Sequence, residues 1–571
     1  MSQATASAGS PANGNEFRLF LASFLTLIAA GVGFSVRGAI LGNWSSQFGF
    51  TQGELGAITG GGLVGFGLTI IFFSFFADLV GYGPLMAIAW LLHVASVVVT
   101  LAAGPVYQSL GKDATFQCLY WGAFLFALGN GTCEAVINPL TATLYPNNKT
   151  HWLNILHAGW PGGLILGALL GLLFNKLKLS WEIQIGSYLV PTILYGVMMV
   201  GQRFPKSEAR VAGVSLSSML REVGLFGALV VVALLGFWLW DLLPGYGLPN
   251  WTGIAVAAVL LGIFGACTGF SPGHWMFAML LVLHALVGYV ELGTDSWITN
   301  ITGTILSSKD LGLWLFIWTS GLMFVLRFFA GPIVHKISPL GLLFISSVLG
   351  AIGLFMLGNA TSGIICVVAA TVYGFGKTFL WPTMLGVASE RFPRGGAMAL
   401  GALGGVGMLS AGLLGGPGIG YKQDYYATTK LEQEAPETFA RYKAGSGKGF
   451  LWFPEVSGLD GAKVANLLVD EGKSPGDPLQ ADIAALEKSG RKLEDVKELS
   501  GLKEWFEKEA QPNLVTDAPV VTAGRLYGSK QALIVTALVP ATMAVGYLLL
   551  ILYFKARGGY KTEHIDGQAG Q

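Results

Sequence analysis

Fourteen times along this chain, some twenty residues run almost free of charge, and that recurrence leaves few folds open to it. The windows lie near 17–42, 54–78, 84–104, 116–144, 151–175, 181–202, 223–243, 252–270, 274–302, 310–332, 339–358, 361–388, 396–420 and 529–555. Each is long enough for a helix to cross about 30 Å of hydrocarbon, and none shows the apolar–polar alternation of a barrel strand. Only 12% of the residues are charged, against ~25% in an ordinary soluble fold. The expected fold is therefore all-α and integral to a lipid bilayer. Gly163, Gly167 and Gly171 repeat at the four-residue spacing of a helix face that packs backbone to backbone. The four cysteines lie inside apolar windows without metal-ligand spacing, so neither a disulfide framework, a metal site nor a cofactor is expected.

Loop charge sets the expected orientation. With the first residues in the cytoplasm, the short loops and tails on that side hold Arg18, Lys149, Arg203, Lys206, Arg210, Arg221, Lys336, Arg391, Arg394, Lys555, Arg557 and Lys561. The short loops opposite hold only Lys112, Lys176, Lys178 and Lys309. The positive-inside bias thus predicts cytoplasmic termini and an even span count in a cell membrane, the inner one if the cell is Gram-negative. The first sixteen residues are polar and lack a basic leader, so the first span reads as an uncleaved signal anchor. Tyr421 to Tyr527 does not belong in lipid: it holds 14 Lys and Arg against 18 Asp and Glu, and Ala481 to Ala510 alternates apolar and charged residues at helical spacing. The expected organisation is a tail at 1–16, an N-terminal six-helix bundle at 17–203, and a cytoplasmic loop with two additional helices at 204–270. Core helices seven to eleven follow at 271–420, an extracytoplasmic insert at 421–528, the last core helix at 529–556 and a second tail at 557–571.

The spans carry polar exceptions. Asn130, Glu134 and Asn138 recur every four residues in the fourth span and so form one stripe on a helix. An ionisable group at the bilayer centre costs about 2.5 kcal/mol or more, so it faces a partner or a wet cavity. Arg37 lies in the first span, Asn154 and His157 in the fifth, Arg327 in the tenth, and Tyr373, Lys377 and Trp381 in the twelfth. The ninth carries His284, Glu291, Asp295 and Thr299 on one expected face. With spans seven and eight set aside, the main buried charges fall on core helices one, four, seven and ten, with cations and anions balanced. The halves also echo each other: Gly129-x-Gly131, Glu134 and Asn138-Pro139 against Gly374-x-Gly376, Lys377 and Trp381-Pro382-Thr383. The loop from Ala77 to Pro84 has a counterpart from Gly331 to Pro339. Two six-helix halves with a site between them at mid-depth are expected.

With the Gly129-x-Gly131-x-x-Glu134-x-x-x-Asn138-Pro139 string, Leu153-Asn154, Trp381-Pro382-Thr383 and the Asp78-x-x-Gly81 loop, the sequence resembles a major facilitator superfamily transporter. Within that superfamily it is similar to the fucose:proton symporter family of sugar permeases. The resemblance covers the twelve core helices and implies that Glu134 carries the coupling proton, with Asn138 and His157 beside the substrate. It departs from the family at Gly38, where a second acid is replaced beside Arg37, and at His157 and Trp160, where the family has Gln and Asn. Glu291 or Asp295 is the expected substitute for the second proton-coupling acid.

The expected mechanism is alternating access, with protonation of Glu134 releasing Arg37 or Lys377 from a salt bridge. Trp160, Trp297 and Trp381 offer flat faces to a sugar, and Asn138, Asn154 and His157 offer donors and acceptors to its hydroxyls. The expected partners are a small polar solute, a coupling ion (H+) and the bilayer, with no nucleic acid and no enzymatic activity. Two alternatives stand beside this: an organic-anion carrier using Arg37, Arg327 and Lys377, and a membrane-anchored sensor or enzyme working through the 421–528 insert.

Overall fold

A computed structural model of the chain describes residues 14–565 except 49, 51–54, 56–57, 60–61, 446, 470–471, 489–491 and 494–495. Most of the expected N-terminal tail, the last six residues and part of the start of the second window lie outside the described residues. Helices follow the windows in order: α1 (Gly14–Ala39), α2 (Gly62–Val80), α3 (Tyr82–Leu101), α4 (Ala103–Leu144), α5 (Lys149–Lys176), α6 (Leu189–Met199) and α7 (Leu216–Leu242). Then come α8 (Trp251–Thr268), α9 (Trp275–Leu306), α10 (Lys309–Arg327), α11 (Ala330–Gly358), α12 (Gly363–Arg391) and α13 (Pro393–Glu434). The chain ends on α14, formed by Leu514–Thr536 and Leu538–Ala556.

Among the described residues, twelve helices are long and apolar enough to cross a membrane. The exceptions have local causes. α4 is diluted by its Gly, Asn and Glu residues, and the sixth span is split at Tyr188, three residues before Pro191 of α6, which lacks an N–H. Both are packed into the bundle all the same: Gly129 of α4 meets His93 of α3, and Trp90 Nε1 of α3 donates to the Thr192 carbonyl of α6.

Small residues set the helix spacing. A Cβ on Gly163 would come within 2.3 Å of the Ile28 carbonyl oxygen and 3.0 Å of Gly31 Cα, and Gly171 faces Ala39. The predicted glycine face of α5 therefore lies directly on α1. Gly163→Ala is expected to lower the melting temperature, with an overpacking cost of about 1–3 kcal/mol, whereas Gly186→Ala, which meets nothing within 4 Å, serves as the neutral control. Between halves, Gly67 of α2 lies against Gly405 and Leu409 of α13, and Gly162 of α5 against Phe324 of α10.

Two π-helical turns, Tyr289–Gly293 in α9 and Ala411–Gly415 in α13, face each other through Gly293 and Gly415. The first interrupts the single face expected for α9 and redirects its acids. The added pair α7 and α8 packs at the side of the C-terminal half, where Gly227 meets Phe277 and Leu281 of α9.

α13 and α14 run on beyond their apolar windows, to Glu434 and from Leu514, packed together where Gly528 meets Gln423 and Ala427 and Gly524 meets Leu431. The segment they carry has its own core of Tyr442, Val464, Leu467, Leu479, Trp505 and Phe506. Buried Asp517 ties it down by accepting from Arg441 Nε at 2.8 Å and Thr438 Oγ1 at 2.9 Å. Its helix Asp477–Lys488 touches Leu41–Phe48, which follows α1. Asn15 and Glu563, near the two ends of the described residues, lie on the opposite face, where Asn15 donates to the Arg203 carbonyl and Arg391 pairs with Glu563.

Candidate functional site

Midway along the helices, polar groups from both halves converge. Glu134 and Asn138 are buried on α4, with Asn138 Nδ2 donating to Glu134 Oε2 at 2.6 Å. Asn138 Oδ1 in turn meets His157 Nε2 of α5 at 2.8 Å. From the C-terminal half, Arg327 Nη2 donates to Glu291 Oε1 at 2.8 Å, and the second carboxylate oxygen of Glu291 accepts from the Trp381 amide at 3.2 Å.

Arg327 is completed by two carbonyls that proline sets free. Pro161 and Pro382 have no N–H to offer the residue four positions earlier. The freed oxygens belong to His157 and Thr378, and they accept from Arg327 Nη1 at 2.6 Å and Nε at 2.7 Å. One guanidinium thus joins α5 of the first half to α9 and α12 of the second. Each nitrogen of its fork donates to a protein acceptor.

The other expected residues are placed as follows. Lys377 is fully buried and its Nζ lies 2.5 Å from Asp295 Oδ1. Arg37 stays inside the first half, bonded to the Gly33 carbonyl and Ser96 Oγ, with its guanidinium 3.9 Å from the Phe126 ring centre. The expected salt bridge from Glu134 to Arg37 or Lys377 is therefore corrected: among the described residues Glu134 bonds neither, because one cation is held among α1, α3 and α4 and the other is taken by Asp295. Asn154 reaches across the halves to Thr383 Oγ1 at 3.1 Å. Trp381 stands beside His284, with ring centres 4.5 Å apart. Trp160 packs on Phe34 of α1, and Trp297 donates to the Gly416 carbonyl of α13, so neither indole joins the central group.

The family model of the Major Facilitator Superfamily matches residues 19–416. The chain belongs to that superfamily. No curated protein matches it in sequence, but solved structures share the fold. A bacterial homolog of the human lysosomal transporter Spinster, inward-facing and unoccupied, gives a TM-score of 0.55 at 13% identity over 95% of this chain and 97% of that one. The proton:xylose symporter XylE, bound to 6-bromo-6-deoxy-D-glucose, gives 0.54 at 13% identity over 74% and 91%. The E. coli fucose:proton symporter gives 0.51 at 13% identity over 71% and 92%.

In this major facilitator transporter the halves are clasped on the face that carries Asn15 and Glu563. Asp78, in the last turn of α2, accepts from the Ala397 amide of α13 at 2.9 Å, where a helix N-terminus favours a carboxylate. Gly396 (φ +53°) is required there, since a Cβ would fall 2.6 Å from Asp78 Oδ2. On the other side of the repeat, the Gly331 amide, after α10, donates to His151 Nδ1 of α5 at 3.0 Å. The two loops that echo each other in sequence thus each hold the fifth core helix of the opposite half.

Thr150 Oγ1 adds a 2.5 Å bond to Glu390 Oε1. A hydrogen bond to a charged group contributes about 1.5 kcal/mol or more. Thr150→Val is expected to speed alkylation of a cysteine placed at buried Thr383 by roughly tenfold, and an unchanged rate would show that this bond does not hold the closure. Glu390 was not singled out from the sequence, and Thr383 entered only within the Trp381-Pro382-Thr383 string. Pro161 and Pro382, prolines inside spans, were the available signals for the Arg327 clamp.

Proposed function

We propose that this transporter carries a monosaccharide or similar polyol by alternating access, in symport with a proton bound at Glu134. The observation that carries the reading is the contrast between acids. Glu291 and Asp295 each hold a cation, whereas buried Glu134 is hydrogen-bonded to neutral Asn138 and has no bonded cation among the described residues. A carboxylate so placed is the one whose charge a proton can cancel without stranding a partner. Arg327 and Lys377 are already paired, and Arg37 is held by the Gly33 carbonyl, Ser96 and the Phe126 ring, an arrangement that favours a neutral solute over an organic anion. The solved sugar:proton symporters of this fold are consistent with that choice.

The positive-inside bias places both chain ends in the cytoplasm and the 421–528 insert on the far side, as a cap on the carrier rather than its working domain. Purified protein in proteoliposomes, loaded with sugars in one set and organic acids in another, tests the reading by counterflow at several pH values. Exchange of a sugar supports it. Exchange confined to organic acids, or loss of all activity on removing only the insert, rejects it.

A further inference from the structure

His284 has no role in the arrangement described so far, and its environment is unusual. It lies on α9, fully buried, and both ring nitrogens are without a hydrogen-bond partner. A neutral imidazole offers one donor and one acceptor, and leaving both unmade in a dry interior is costly, so such groups persist where something else completes them. The ring cannot turn to find a backbone partner. It lies against the Trp381 indole on one side, while a Cβ on Gly407 of α13 would come within 2.9 Å of the imidazole Cδ2 and 2.6 Å of the indole. Three helices therefore fix its direction. Trp381 in turn gives its backbone amide to Glu291 of the central group.

We infer that His284, beside the indole face of Trp381, is the hydrogen-bonding contact by which the C-terminal half selects a hydroxyl of the solute. The inference rests on the proposed sugar or polyol substrate. A hydroxyl both donates and accepts, so it satisfies the imidazole in either tautomer, and the adjacent indole suits the C–H face of a sugar ring. Asn138 and His157 supply the polar groups on the opposite half. A solute held at both places binds best when the halves are closed around it.

His284→Phe keeps the ring shape and removes both orphaned nitrogens. The test measures melting temperature of the full-length protein with and without L-fucose, D-xylose or D-glucitol, together with KM for counterflow of whichever stabilises the parent. The expected result is a solute-free melting temperature equal to or above the parent's, loss of the solute-induced rise, and a KM raised at least tenfold. His284→Gln, which can still donate and accept, should recover part of the rise, and this second variant decides the matter should the Phe protein fail to fold. A parent that responds to a solute while both variants respond equally overturns the inference alone. A parent that responds to no sugar or polyol rejects the substrate reading and the inference with it.

Discussion

Arg327→Met is expected to destabilise the protein by about 3–5 kcal/mol, the cost of leaving a buried carboxylate without its cation. Three losses coincide: Glu291 keeps a charge with nothing bonded to one of its oxygens, and the His157 and Thr378 carbonyls, already deprived of helical partners by Pro161 and Pro382, lose their donor. Arg327→Lys should rescue little, since an ammonium cannot reproduce a planar fork with three separate acceptors. Adding Glu291→Gln to the Met variant should recover much of the loss, because the stranded charge is then removed. Thermal denaturation of these variants, with the Glu291→Gln single variant beside them, measures this. Additivity of the single effects in the double variant would show that the two side chains do not act as a pair.

Glu134→Gln should abolish accumulation of solute against a gradient while leaving exchange between equal concentrations intact. At one proton per solute, a gradient of about 2 pH units can drive accumulation up to about 100-fold, since each unit is worth about 1.4 kcal/mol. The amide preserves the bond to Asn138 but cannot change charge, so the variant should equilibrate near onefold. Vesicle uptake with an imposed pH step reads this directly, and a variant that still concentrates its solute would remove Glu134 from the coupling mechanism. The equivalent change at Asp295 should act differently, because it strips buried Lys377 of its partner and should first appear as a loss of stability.

The membrane class, the polar stripe on α4 and the pairing of halves were legible in the chain because they depend on patterns within single helices or on repeats between them. The glycine spacing of α5 and the matched loops at Asp78 and Gly331 belong to this class. Side-chain partnership was not legible. Composition says that buried charges must balance, but the chain alone left Arg37 and Lys377 as the expected partners of Glu134, whereas helix rotation and the π-helical turn at Tyr289–Gly293 assign Glu291 to Arg327 and Asp295 to Lys377. The Trp residues divide in the same way: four-residue spacing located Trp381 near Lys377, yet only packing shows Trp160 turned to α1 and Trp297 to α13.

The charged segment between α13 and α14 is carried on helices rather than on flexible linkers. From Gly416 to Glu434, α13 alone gives it a rigid mount of about 28 Å at 1.5 Å per residue. A tilt of the C-terminal half by some ten degrees would swing the far end of such a lever arm by roughly 5 Å, and its helix Asp477–Lys488 would slide or part from Leu41–Phe48. An antibody fragment clamped across that seam should therefore act as a brake on turnover, without touching the pore.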